Sequence, residues 1–154
     1  MVIDQPSPKQ REFLTAKARY VAYGGARGGG KSWAVRTKAT LLAIKNAGIK
    51  ILIIRRTYDE LRTNHITPLR QLTNGIAEYN DQTKTMRFPT GSTIQFGYLA
   101  NDSDLLRYQG QEYDVIFIDE ATQIPFDYFD ALKACVRGAN QHPKRIYLTM
   151  NPKQ

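Results

Sequence analysis

The chain has 154 residues, 42% of them hydrophobic and 23% charged, a composition typical of one globular domain and not of a disordered or fibrous segment. No apolar run approaches the ~20 residues of a membrane-spanning helix, and the N-terminus lacks the basic start and apolar centre of a signal peptide. Lys and Arg outnumber Asp and Glu by 22 to 14, a formal net charge of +8. This charge favours a polyanionic partner such as nucleic acid, although a merely basic surface would fit it too. We expect one domain that acts in a cytoplasm, away from membranes.

Helix and strand signals alternate along the chain. The predicted elements are, in order, a helix at 7–18, a strand at 19–25, a helix at 31–48, a strand at 49–56, a helix from 57 interrupted near Pro68, a β-hairpin at 83–99, a strand at 113–121, a helix at 125–138 and a strand at 144–152. The run "IKILIIRR" at 49–56 contains a nearly continuous apolar stretch, as in a strand buried on both faces of a parallel sheet. The alternation predicts an α/β fold, a mainly parallel sheet with helices on both faces and an inserted β-hairpin.

The stretch "GGARGGGKSW" at 24–33 contains the pattern G-x-x-x-x-G-K-[ST] of a phosphate-binding loop, between a predicted strand and a predicted helix. The matching residues are Gly25, Ala26, Arg27, Gly28, Gly29, Gly30, Lys31 and Ser32. Glycines let such a loop wrap so that backbone N–H groups point at phosphate oxygens, beside the positive end of the next helix. We expect Lys31 to reach the β- and γ-phosphates and Ser32 to bind Mg²⁺. The pattern and its context predict a P-loop NTPase that binds ATP and Mg²⁺.

A second signal is "VIFIDEA" at 115–121, four apolar residues followed by Asp119 and Glu120. Ligands bind at the carboxyl edge of such sheets, so both carboxylates should emerge beside the glycine loop. We expect Asp119 to orient Mg²⁺ and its water shell, and Glu120 to polarise the water that attacks the γ-phosphate. Strands often end in acidic turns, but together with the loop this pair indicates nucleotide hydrolysis.

Four residues have two interpretations each. At the tip of the last strand, Thr149 and Asn151 could contact the γ-phosphate or the attacking water, or could simply end the strand in a turn. Gln10 could bond the adenine edge, or could close a capping box with Ser7. Arg107 could enter a neighbouring subunit's site as an arginine finger, or could be a surface cation.

Arg27 is a separate case, since glycines and Lys31 already account for phosphate binding. We expect its guanidinium to act on the γ-phosphate charge as the bond breaks, or on Glu120; the alternative is that it only adds positive potential near the nucleotide. Cys135 lies on an amphipathic helix and is expected to be a core thiol. His65 and His142 have no partners at metal-ligand spacing, so a zinc site is not expected.

Six segments together resemble the ATPase region of bacteriophage terminase large subunits, the motors that pump DNA into procapsids. They are "SPKQREFL", "GGARGGGKS", "ILIIRRTYDELR", "FPTGSTIQF", "LLRYQGQEYDVIFIDEAT" and "LTMNP". Many P-loop ATPases share the glycine loop and the acidic strand, whereas "RYQGQEYDVIFIDEAT" followed by "TMNP" is much more particular to this family.

The resemblance implies a DNA-translocating ATPase in which Gln10 lies on the adenine side and Thr149 and Asn151 belong to a motif that couples hydrolysis to motion. An arginine within the phosphate loop is common in the family and would be Arg27. The partners it implies are double-stranded DNA, a portal protein, a small terminase subunit and further copies of the chain in a ring, in the host-cell cytoplasm.

Terminase large subunits continue into a nuclease domain, so we expect 1–154 to be one P-loop ATPase domain, short of its last strands and without nuclease activity. Three alternatives remain open. A helicase-like nucleic-acid-dependent ATPase would share the glycine loop and the acidic pair. A nucleotide-dependent binding or assembly module would bind ATP with negligible turnover. A small-molecule kinase usually lacks the acidic pair.

Overall fold

The computed structural model describes residues 1–24 and 30–151. The helices are α1 (Pro8–Thr15), α2 (Lys31–Lys45), α3 (Tyr58–Leu61), α4 (Thr67–Leu72), α5 (Asp102–Leu105) and α6 (Phe126–Lys133), with a π-helical turn at Arg62–Ile66 and 3-10 turns at Leu106–Tyr108 and Ala121–Gln123. The strands are β1 (Tyr20–Gly24), β2 (Lys50–Arg55), β3 (Glu78–Asn80), β4 (Thr85–Arg87), β5 (Thr93–Tyr98), β6 (Val115–Ile118) and β7 (Arg145–Met150). Within these described ranges, no helix is long and apolar enough to cross a membrane.

The strands form one sheet in the order β1-β7-β6-β2-β5-β4-β3. The five strands from β1 to β5 in that order run parallel, and β4 and β3 run antiparallel at one edge. Parallel strands end at the same edge of a sheet, so the residues that follow β2, β6 and β7 lie side by side. This arrangement confirms the predicted mainly parallel sheet.

Strand β2 lies in the middle of the sheet and is buried on both faces. Ile51 and Ile53 belong to a core cluster with α1, α2 and α4, while Leu52 and Ile54 belong to a second cluster with α6. Alternate side chains of a strand point to opposite faces, so one apolar run fills both cores. Cys135 is buried in the second cluster, which confirms the predicted core thiol.

The predicted hairpin is present, and it pairs with the main sheet. β4 pairs antiparallel with β5, and β5 also pairs parallel with β2 along its whole length. The sequence did not predict β3, because its three residues are exposed or half-buried and form no apolar run. The hairpin thus continues the sheet to its antiparallel edge.

The helix predicted from residue 57 continues to Leu72 through the π-helical turn instead of breaking. The N–H of Thr67 bonds to the carbonyl of Arg62, five residues earlier rather than four. Pro68 follows directly and has no N–H for the carbonyl of Asn64, which accepts a hydrogen bond from the Arg36 guanidinium of α2 instead. The predicted interruption near Pro68 is therefore a widened turn, a feature frequent at functional sites.

Candidate functional site

Three segments meet at the carboxyl edge of the sheet: the first turn of α2, the end of β6 and the end of β7. Asp119 follows β6 and is buried, and its Oδ2 accepts a hydrogen bond of 2.7 Å from Oγ of Ser32, 87 positions away. Strand β7 places Thr149 beside it, because Ile118 of β6 pairs with Leu148 of β7. The structure thus brings Ser32, Asp119 and Thr149 together.

Asp119 receives hydrogen bonds on both carboxylate oxygens. Oδ2 accepts from Ser32, from Arg55 at 3.0 Å and from Nε2 of His65 at 2.7 Å, while Oδ1 accepts from the hydroxyl of Thr149. Burial alone would raise the pKa of Asp119, but the hydrogen bonds, above all that from His65, hold this pKa well below its usual range. Hydrogen bonds to the charged form favour it, so these donors keep Asp119 ionised and fix its orientation.

Glu120 is held by the end of β7. Its backbone N–H donates to Oγ1 of Thr149 at 3.0 Å, and its Oε1 accepts from Nδ2 of Asn151 at 2.5 Å. Its φ of 58° lies in the left-handed region, which non-glycine residues adopt only where surrounding contacts determine it. The side chain is half-buried, with its Oε1 3.9 Å from the Arg55 guanidinium. Glu120 therefore presents a partly exposed carboxylate directly beside Asp119.

Arg55 is a site residue that the sequence analysis missed. It ends β2 and is buried, and its guanidinium bridges Asp119 at 3.0 Å and Glu60 at 2.9 Å. Glu60 in turn accepts from the hydroxyl of Thr57, which caps α3. A charged residue directly after a buried strand was the available signal, but its partners become visible only once β2, β6 and α3 are placed. A buried cation between two carboxylates keeps their charges compensated.

His65 is the second missed residue. It lies in the π-helical turn and is completely buried against Asp119. Burial lowers its pKa, and the hydrogen bond to Asp119 opposes that shift. Within residues 1–24 and 30–151, no group of three or more His, Cys, Asp and Glu side chains could hold a metal ion by itself.

The predicted phosphate loop is described only at its end. Gly25, Ala26, Arg27, Gly28 and Gly29 lie outside the described residues. Gly30 precedes α2 with φ 75°, and Lys31 is the first residue of that helix and is buried.

Both polar atoms of the Gln10 side-chain amide form hydrogen bonds. Its Oε1 accepts from the backbone N–H of Ser7 at 2.8 Å and completes the capping box of α1, while its Nε2 lies 3.3 Å from the carbonyl of Gly30. The capping box of Gln10 is present in the structure, and its adenine contact stays a prediction.

Arg107 lies apart from this cluster. Its guanidinium lies over the ring of Tyr98 at 4.2 Å and 3.7 Å from Asp104, and its side chain is 52% exposed. Neither contact reaches Asp119 or Glu120. Both interpretations of Arg107 remain predictions.

The donor set fits a magnesium–nucleotide complex. Mg²⁺ is usually bound by one or two protein oxygens together with substrate phosphates, and in P-loop enzymes those are the loop hydroxyl and the strand-end aspartate. Ser32 and Asp119 are such a pair, already within 2.7 Å of each other. Asn151 Oδ1 is buried without a hydrogen-bond partner among the described residues, so it can accept from a bound water. Ser32 and Asp119 therefore fit a bound cation.

Comparisons with known proteins bear on the family and on the fold. A family model described as phage terminase large subunit matches residues 17–154, whereas no curated protein sequence matches the chain. The large terminase of a thermophilic bacteriophage has a TM-score of 0.79 and 21% identity, over 96% of this chain and 40% of that one. The same protein in complex with ATP-γ-S gives a TM-score of 0.74 and 18% identity, over 95% of this chain and 38% of that one.

The large terminase ATPase domain of Thermus phage P74-26 has a TM-score of 0.74 and 19% identity, over 97% of this chain and 66% of that one. These likenesses confirm the predicted P-loop NTPase fold. The chain spans about 40% of the length of the large terminase from the thermophilic bacteriophage.

Proposed function

Because the chain belongs to the family of phage terminase large subunits, we propose that it is an ATP-hydrolysing motor domain that drives viral double-stranded DNA into procapsids. The observation that carries the proposal is the cluster of Ser32, Asp119, Glu120 and Thr149 at one edge of the sheet. The large terminase of the thermophilic bacteriophage, solved with ADP and with ATP-γ-S, supports nucleotide binding by this fold.

In this proposal the start of α2 binds the nucleotide. Lys31 pairs with the β- and γ-phosphates, Ser32 and Asp119 hold the metal, and the glycine loop at 25–30 cradles the phosphates with its N–H groups. Mg²⁺, when bound with ATP, neutralises charge on the transferring phosphoryl group. The low pKa of Asp119 supports its role, because the carboxylate stays ionised and ready to hold a cation.

Glu120 acts as the general base. Asn151 holds one carboxylate oxygen, Oε1, so the second oxygen can accept a proton from the water that attacks the γ-phosphate. The left-handed backbone of Glu120 supports this role, since such conformations cluster at active sites. Thr149 contacts both acidic residues, so a change at the γ-phosphate can reach β7 through one hydroxyl.

The whole assembly follows from the same proposal. Residues 1–154 act as the ATPase domain of a subunit in a homo-oligomeric ring, with portal protein and small terminase subunit as partners. Arg27 acts on the γ-phosphate charge, and Arg107 reaches a neighbouring subunit. The net charge of +8 supports a polyanionic substrate such as DNA.

The test is ATP hydrolysis by the wild type and by Glu120→Ala, each with and without double-stranded DNA. A motor domain predicts turnover that DNA stimulates and that Glu120→Ala abolishes while nucleotide binding persists. Absence of DNA- or ring-dependent turnover in the intact protein would contradict the motor function and favour a nucleotide-dependent assembly module.

A further inference from the structure

The contact between His65 and Asp119 belongs to none of the proposed roles in nucleotide binding or hydrolysis. The imidazole is completely buried, and its Nε2 lies 2.7 Å from Oδ2 of Asp119. A carboxylate oxygen accepts hydrogen bonds, so the proton of this contact belongs to Nε2. Nδ1 is buried without a hydrogen-bond partner among the described residues. The geometry thus makes Nε2 the donor to Asp119 and leaves the other ring nitrogen without a role in the contact.

The backbone places His65 there through an irregular turn. The π-helical turn adds a residue between α3 and α4, and the Arg36 guanidinium from α2 binds the freed carbonyl of Asn64, next to His65. Four residues before Arg36 on the same helix is Ser32. The helix that supplies the metal-binding hydroxyl thus also secures the turn that supplies the imidazole.

We propose that His65 is a positioning residue that fixes the Asp119 carboxylate for metal binding through its Nε2–H. The inference rests on the metal-binding role proposed for Asp119. Side chains that hydrogen-bond a metal-binding group orient it and tune its affinity, and their loss costs about 10- to 100-fold in metal affinity or activity. Arg55 already supplies a positive charge beside Asp119, so the part left to His65 is a directed hydrogen bond.

Three substitutions separate positioning from simple filling of the core. His65→Gln keeps an N–H donor near the position of Nε2. The shorter side chain of His65→Asn does not bring its amide within reach of Asp119. His65→Leu fills a similar volume but has no donor. The matched control is His142→Leu, which changes the chain's other histidine, a half-buried residue before β7.

The measurement is the Mg²⁺ concentration that half-saturates binding of a non-hydrolysable ATP analogue. We expect His65→Asn and His65→Leu to raise it about 10- to 100-fold, with His65→Gln and the His142 control close to the wild type. Equal values for the Gln and Asn variants would overturn the proposal, and this pair decides the matter even where the Leu variant fails to fold.

A second measurement needs no nucleotide. Nitrogen-15 NMR of the imidazole should show that Nε2 of His65 carries a proton; a bare Nε2, with the proton on Nδ1, would overturn the proposal. The ATPase test of the wild type is separate. A protein that shows the His65 dependence without hydrolysing ATP contradicts the proposed function alone, and one that hydrolyses ATP without it contradicts this inference alone.

Discussion

The hydroxyl of Thr149 donates a hydrogen bond to Oδ1 of Asp119, although 30 positions separate the two residues along the chain. Ile118 of β6 pairs with Leu148 of β7. Asp119 and Thr149 are the residues that follow this pair, so they lie side by side. The same hydroxyl accepts from the backbone N–H of Glu120 at 3.0 Å. One side chain of β7 therefore bonds to both acidic residues.

Replacing Thr149 by Val removes this hydroxyl and keeps the branched shape. We expect turnover to fall about 10- to 100-fold and the free energy of unfolding to fall by about 1–3 kcal/mol, because buried polar groups lose their partner. Thr149→Ser is the matched control, since it keeps the hydroxyl. Steady-state ATP hydrolysis and denaturant unfolding measure the two effects, and equal turnover in the Val and Ser variants would contradict the linking role.

Gly30 combines a left-handed backbone with a close neighbour. Its φ is 75°, and a Cβ there would lie 2.2 Å from Nε2 of Gln10. Gly75 has φ 81° with open space around it, so Gly75→Ala is the matched control. Both Ala variants should lose about 1–2 kcal/mol of stability from backbone strain, but only Gly30→Ala should also weaken ATP binding, because it displaces Gln10 at the glycine loop. Titration calorimetry with ATP checks this, and an unchanged affinity in Gly30→Ala would exclude a role for the Gln10 contact.

Arg27 yields a prediction from the sequence alone, as it lies outside the described residues. Arg27→Ala should spare ATP binding and lower turnover at least ~10-fold, given the contribution of arginines that stabilise transition-state charge. Arg87→Ala, which removes an exposed arginine of β4, should change neither quantity. Separate measurements of the dissociation constant and of the turnover number decide between the two roles. Equal losses in both would show that Arg27 only adds positive potential.

Lys38 predicts an unusual pH dependence of stability. It is buried in α2, and burial together with Arg145, Lys45 and Lys17 lowers its pKa from 10.5 to about 8. Between these pH values the unfolded chain binds a proton that the folded chain has released, so the free energy of unfolding rises with pH in this window.

The difference in the free energy of unfolding between the wild type and Lys38→Met should therefore change by about 1–3 kcal/mol from pH 8 to pH 10.5. Lys133→Met, at a half-buried lysine of α6 that pairs with Asp130, is the matched control. Denaturant titrations across this range measure the effect. If the free energy of unfolding changed with pH by the same amount in the wild type and in Lys38→Met, Lys38 would keep an ordinary pKa in the folded protein.

Much of the fold followed from hydrophobic runs and their spacing. The buried runs of β2 and β6 predicted a parallel sheet, and the acidic pair after β6 was expected beside the glycine loop because parallel strands share a carboxyl edge. Short or polar elements such as β3 carry no such signal.

The two missed residues show why the site was harder to predict. His65 reaches Asp119 only because the turn around it is π-helical, and an ordinary helical period would direct it elsewhere. Arg55 contacts Asp119 and Glu60 only because β2, β6 and α3 lie next to one another in the fold. Such contacts depend on an irregular backbone turn and on the order of strands in the sheet. A short sequence pattern predicts neither feature.

The central claim is that Glu120 activates water for ATP hydrolysis, and the most direct measurement is Mg²⁺-dependent phosphate release from ATP by Glu120→Gln. This variant keeps the size of the side chain and removes its basicity. Glu112→Gln is the control, since Glu112 is exposed before β6 and pairs with Arg137. We predict that Glu120→Gln binds ATP as the wild type does and releases phosphate at least ~100-fold more slowly, while the control keeps the wild-type rate. Phosphate release by Glu120→Gln at the wild-type rate would contradict the account.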